Sequence, residues 1–118
     1  MHHIEFLAIR EWLGVSVDWL ADHLDVSSKT VREWQSGKNL VPPGVVSELR
    51  ALQDATDQHV DQLRSGLSEG ETIQVYDRDV DYWDHARPGP IGWPAQWHRR
   101  VAVRLSREVN GLTITGPE

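Results

Sequence analysis

Cysteine is absent from this chain of 118 residues. That removes a disulfide framework, a thiolate metal site and a cysteine nucleophile from consideration. No apolar run approaches the ~20 residues a membrane-spanning helix needs, and no secretory signal precedes the first helical pattern. A cytoplasmic protein with no membrane partner is therefore the default. Internal repeats and low-complexity segments are missing too. So are the nucleophile elbow, the phosphate-binding glycine-rich loop and the HExxH or HxxxH spacing of a metal site. The six histidines are scattered: His2 and His3 adjoin the terminus, and His23, His59, His85 and His98 lie far apart. Asp77, Asp79, Asp81 and Asp84 could mimic a cation loop, but the glycine and terminal glutamate of an EF-hand are lacking. Helix capping and pairing with Arg99, Arg100, Arg104 and Arg107 is the better account of them. An enzyme built on His85 or His98 with a nearby Asp has no motif behind it. The expectation is no enzyme, no metal and no cofactor.

What is present describes a folded protein. Apolar residues make up 39% of the chain, with six Trp, too many for disorder. This length supports one compact domain or two small ones, with roughly two-thirds of the unfolded surface buried. The net charge is −6, which argues against indiscriminate coating of nucleic acid but not against a local cationic surface. Residues 1–64 hold six cations against ten carboxylates, and residues 65–118 hold six against eight. Acid-rich faces would have to point away from any DNA.

Hydropathy patterning divides the chain. Phe6, Ile9 and Leu13 follow helical spacing, and Gly14 stops it. Ser16 is a good N-cap for "VDWLADHL", with Asp18 in its first turn and Val17, Leu20, Ala21 and Leu24 on one apolar face. Asp25 can take the left-handed conformation a tight helix–helix turn requires. A third helix, capped by Ser27 or Ser28, carries Val31 and Trp34 as its main apolar residues, and Gly37 suits the position just past its end. "KNLVPPG" is a loop, and Pro43 can open the next helix. That helix spans about 43–64, with Val46, Leu49, Leu52, Thr56, Val60 and Leu63 at spacings of three and four. "SGLSEGE" is a polar break. After it come a strand at 72–76, a short helix capped by Asp77, and a loop at 87–94. A helix from Pro94 to about Glu108 follows, then a final short strand in "GLTITG" able to pair with the first. The expected architecture is mainly α: a helix-turn-helix bundle over residues 1–66 and a small α/β dimerisation module over 67–118.

The segment "SVDWLADHLDVSSKTVREWQSGK" carries the functional signal. Two short helices meet at a tight turn, and Ala21 is small where the second must cross closely. The second helix has a narrow apolar anchor and a polar front, as a helix that reads base edges in the major groove requires. Val17, Leu20 with Ala21, Leu24 with Val26, Ser27, Thr30 with Val31, and Trp34 with Gly37 resemble the Cro/CI-type (XRE) helix-turn-helix. Three positions depart from that pattern: Asp25 replaces the usual turn glycine, Gln35 the usual glutamate, and Val17 a glutamine that often helps bind phosphate. "IGWPAQWHRRVAVRL", after an acidic aromatic segment, is similar to a stretch of the YdiL-like and anti-CRISPR-associated (Aca) regulators.

The resemblance implies a homodimeric transcriptional repressor of small operons, often of phages or mobile elements, that binds double-stranded DNA. On the family pattern Ser28, Lys29, Arg32 and Glu33 sit where bases are contacted. Lys29 would donate to guanine and Glu33 would accept from cytosine. Ser27, Thr30, Lys38 and Asn39 fall where phosphates are held. A solvated helix face or loop is the plainer account of Arg32, Glu33, Lys38 and Asn39. Trp12, Trp19 and Trp34 suit packing better than stacking on single strands. Trp83, Trp93, Trp97 and Val101 are expected in the core or at a dimer interface. The alternative is an antitoxin-like interaction protein that neutralises a partner and autoregulates. RNA and a protein partner stay open as further ligands.

Overall fold

The computed structural model describes residues 1–86 and 91–117. The protein is mainly helical. Among the described residues six helices and two short strands follow in the order α1 (His3–Leu13), α2 (Val17–Leu24), α3 (Ser28–Ser36), α4 (Pro43–Gly66), β1 (Thr72–Gln74), α5 (Asp79–Ala86), α6 (Ala95–Glu108) and β2 (Thr113–Thr115). Packing separates two compact units, Met1–Asp54 and Ala55–Glu118. The boundary falls within α4 rather than at the polar break that follows it. Among the described residues no helix is long and apolar enough to cross a membrane.

The first unit is built from sharply bounded helices. The side chain of His2 caps α1, and Gly14 ends it. Ser16 Oγ accepts the Trp19 N–H at 3.0 Å to start α2, and Asp25 closes that helix at φ 57°. A carboxylate side chain tolerates this left-handed conformation better than most, so the missing turn glycine leaves the turn intact. Ser27, not Ser28, caps α3, its Oγ accepting the Thr30 N–H at 3.1 Å. Phe6, Ile9, Leu13, Val15, Leu20, Ala21, Val31, Trp34, Leu49 and Leu52 are buried. The Phe6 and Trp34 rings meet edge to face at 6.0 Å. Leu24 is only half-buried.

In the second unit β1 and β2 pair in parallel, Ile73 opposite Ile114. The expected strand at 72–76 is shortened at its end. After the Val75 N–H donates to the Thr115 carbonyl at 2.8 Å, Tyr76 turns inward, buried, and its carbonyl accepts from the Arg99 guanidinium. The α5 helix begins at Asp79, one residue later than a cap at Asp77 implies. Pro94 occupies the N-cap of α6 without a side-chain cap of its own. Asp79 supplies one instead: its Oδ1 accepts the Ala95 N–H at 2.8 Å. Capping of helices by this aspartate cluster therefore takes a specific form. The ion pairs differ from those expected with the arginines of α6. Asp81 pairs with Arg78 at 2.9 Å, and Arg104 reaches Asp57 of α4 at 2.7 Å. The loop expected over 87–94 lies partly outside the described residues.

Candidate nucleic-acid interface

A nine-residue helix is marginal alone, so the placement of α3 depends on what holds it. Only Val31 and Trp34 are buried along it. The rest of its anchorage is polar and comes from α1 and α2. Arg10 of α1 donates from Nε to Gln35 Oε1 at 3.1 Å and from Nη1 to the Val15 carbonyl at 3.0 Å. Gln35, the residue that departs from the family glutamate, thus keeps an acceptor facing this arginine. His3 Nδ1 lies 3.2 Å from the Gln35 carbonyl, and Ser28 Oγ donates to Asp18 Oδ1 of α2 at 2.6 Å. Nothing in the sequence pattern singles out Arg10. Its partner lies 25 positions away, and no local spacing announces the pair.

The polar side of α3 holds the residues expected at bases. The Lys29 side chain is 81% exposed, and Arg32 is exposed. Ser28 is half-buried and engaged with Asp18. Glu33 is drawn inward, its side chain 20% exposed, with Lys29 Nζ 3.8 Å and Lys38 Nζ 4.0 Å from Oε1. The Asn39 side-chain amide donates to its other oxygen. Of the residues expected at phosphates, Ser27 and Thr30 bond each other at 2.9 Å. Lys38 and Asn39 are exposed just past the helix. Lys29, Arg32, Lys38 and Asn39 therefore share one helix and the loop that leaves it. Trp34 is core, while Trp19 stacks on His23 at 5.1 Å. Trp12 is partly exposed.

The second unit treats its tryptophans differently from one another. Trp93 and Trp97 stack at 4.3 Å with nearly parallel rings. Trp97, 1% exposed, donates its indole N–H to Thr56 Oγ1 at 3.0 Å. Val101 is buried as well. These three residues are interior to one chain, so of the two places expected for them, core or dimer interface, the structure puts them in the core. Trp83, 43% exposed, keeps a surface to offer, and its indole N–H donates to the Trp93 carbonyl.

Beside the stack is a cleft of about 400 Å³, lined by His59, His98, Tyr82, Trp93 and Trp97 among others. His98 Nδ1 is buried without a hydrogen-bond partner. Burial, and then the neighbouring His59, push the His98 pKa down to about 4. Burial also lowers His59 and raises the Tyr82 phenol to about 12. Burial thus favours the neutral form of both imidazoles. Among the described residues no three His, Asp or Glu side chains gather as a metal site would require.

A family model described as Aca2/YdiL-like matches residues 1–108. The chain belongs to the Aca2/YdiL-like family. A relative in that group, the Aca2 repressor of Pectobacterium phage ZF40, is 29% identical over 119 residues, covering 98% of this chain and 94% of the relative. The Aca2/YdiL-like match thus takes in both packing units, from the terminus before α1 to the end of α6.

Proposed function

We infer that this chain is a sequence-specific DNA-binding transcriptional repressor that acts as a homodimer on a two-fold symmetric operator. The observation that carries the reading is α3 itself. It is fixed by two buried side chains and a ring of polar ties, while Lys29 and Arg32 face solvent. The full-length likeness to a protein named as a repressor supports the same reading.

In this reading α3 enters the major groove. Lys29 and Arg32 donate to base edges, guanine being the natural partner for each. Ser27 and Thr30, at the helix N-terminus, approach a phosphate where unpaired main-chain N–H groups favour an anion. Lys38 and Asn39 hold the backbone beside them. Ser28, tied to Asp18, sets the helix against α2 and reaches the groove edge. One such helix covers few base pairs. A dimer would set two of them ~34 Å apart on a palindrome. Among the exposed apolar residues of the second unit, Trp83 and Val80 on α5, Val103 on α6 and Ile114 on β2 are the surface offered for that pairing. A two-stranded sheet is marginal alone, and a partner would extend it.

Selection of bound fragments from random duplex DNA tests this directly. The expected result is an inverted repeat with half-sites about one helical turn apart. Sedimentation at micromolar protein should give twice the chain mass. A monomer with no sequence preference would end this reading.

A further inference from the structure

We propose that Glu33 does not read a base. It positions the interface cations and limits their sequence-independent pull on the phosphate backbone. The inference rests on the DNA-binding reading above.

A carboxylate that reads cytosine must turn an oxygen outward to accept from its amino group. Glu33 has turned both inward. Oε1 faces the Lys29 and Lys38 ammonium groups at 3.8 and 4.0 Å, and Oε2 accepts from the Asn39 side chain. Its main-chain carbonyl accepts the Asn39 N–H at 3.2 Å and the Ser36 hydroxyl at 3.3 Å. One residue thus gathers a cation from within the helix, and a cation and an amide from the loop after it. Two ammonium groups converging on one oxygen would repel each other without its charge. At exposed sites such pairs add little to folding, so the consequence lies in the field presented to a ligand.

Every phosphate neutralised by a lysine strengthens binding to any sequence and steepens its salt dependence. Specificity is a difference between affinities. An anion between two lysines lowers the random-sequence affinity while leaving the base-reading edge of Lys29 and Arg32 in place. Glu33 is then a restraint built into the recognition surface.

Glu33→Gln keeps the shape and an acceptor for Asn39 but removes the charge. Operator and random duplex binding would be measured over a range of salt, and fragments would be reselected with the variant. Random duplex should bind ~3-fold or more tighter at about 50 mM salt, with the log–log slope steeper by about one. The preferred bases should not change, so the operator-to-random ratio falls. Asn39→Ala frees the loop but keeps the charge. It should weaken operator binding at unchanged slope, and circular dichroism confirms that both variants fold. A changed preference at one base pair would show Glu33 reading that base and overturn the proposal. So would an unchanged random-duplex affinity and slope. Failure of the wild-type chain to select any sequence is a separate result, and it would overturn the DNA-binding reading itself.

Discussion

Gly37→Ala should destabilise the first unit by about 1.5–3.5 kcal/mol, as the sum of a backbone term and a contact term. Gly37 ends α3 at φ 84°, a conformation that costs a residue with a Cβ roughly 1–2 kcal/mol. The added Cβ would also lie 2.8 Å from His3 Cδ2 and 3.1 Å from His3 Cγ and Nε2. The atoms it meets all belong to the His3 side chain, which can rotate away. Its retreat gives up the contact between His3 Nδ1 and the Gln35 carbonyl, a net loss of about 0.5–1.5 kcal/mol. Gly44→Ala is the control. Gly44 lies in the first turn of α4, where a new Cβ would meet nothing within 4 Å and φ is not positive. It should gain about 0.4–1 kcal/mol from the reduced freedom of the unfolded chain. Urea denaturation followed by far-UV circular dichroism reads both, the midpoints moving in opposite directions. In a His3→Ala background, where that contact is already gone, Gly37→Ala should cost the backbone term alone. Movement of both midpoints in the same direction would refute the reasoning, because one glycine would then not differ from the other.

Three further outcomes follow from the same geometry. Lys29→Ala should weaken operator binding by ~1–3 kcal/mol and relax preference at one base pair; equal loss on every sequence, measured by titration against mutated operators, would make Lys29 a phosphate contact instead. Thr56→Val leaves the buried Trp97 indole N–H without its 3.0 Å acceptor. It should cost about 1–3 kcal/mol in denaturation, and no cost would mean that another acceptor replaces it. His98 is held at about 4, below its ordinary 6.5, by burial first and His59 second, so the folded chain takes up its proton less readily than the unfolded one. The stability contributed by neutral His98 is therefore complete above about pH 6.5 and declines as pH falls toward about 4, by about 1–2 kcal/mol after allowance for solvent screening. Denaturation midpoints at about pH 7.5 and about pH 5 read this slope; it should shrink in His98→Gln, and a slope unaltered in that variant would assign it to other groups.

The local grammar of the first unit is readable because its causes are local. Ser16, Ser27, Gly14 and Gly37 act on main-chain groups within three or four positions. The apolar spacing around Leu20 and Ala21 needs no distant partner. Asp25 is legible for the same reason. The unreadable parts depend on residues far apart in the chain. Asp79 caps α6 from 16 positions away, and Arg10 meets Gln35 across 25. The parallel sense of the β1 and β2 pair follows from how α5 and α6 carry the chain back, not from either strand's composition. Tryptophan poses a different difficulty. Aromatic residues suit cores and interfaces alike, so only the ring stack, which buries Trp93 and Trp97, tells them from Trp83. The direction of the Glu33 carboxylate is hidden as well. Its type and spacing fit a base contact, and only the position of Asn39 and Lys38 after the helix turns it inward.

The way α3 is held bears on what it can do. A core helix is normally fixed by a broad apolar stripe, and a stripe of that width would consume most of nine residues. Here two buried side chains suffice because the remaining restraint falls on the helix ends and on one edge. Ser27 satisfies the start and Gly37 the finish, while His3 and Arg10 fasten Gln35 by its carbonyl and its side chain. None of these ties uses the side chain of Lys29 or Arg32. The helix is therefore held in position with Arg32 exposed and Lys29 engaged only by its ion pair with Glu33, which is what the proposed direct readout requires: the donors must already stand in place when the groove arrives, since ordering them at that moment would subtract from affinity. Arg10→Ala tests the dependence. It removes no group that the proposed reading sets against DNA, yet it frees Gln35 and the edge of the helix. Operator affinity should fall while the salt slope stays constant, because no phosphate contact has been lost. A slope reduced by about one would instead make Arg10 itself a phosphate ligand and the anchoring argument wrong.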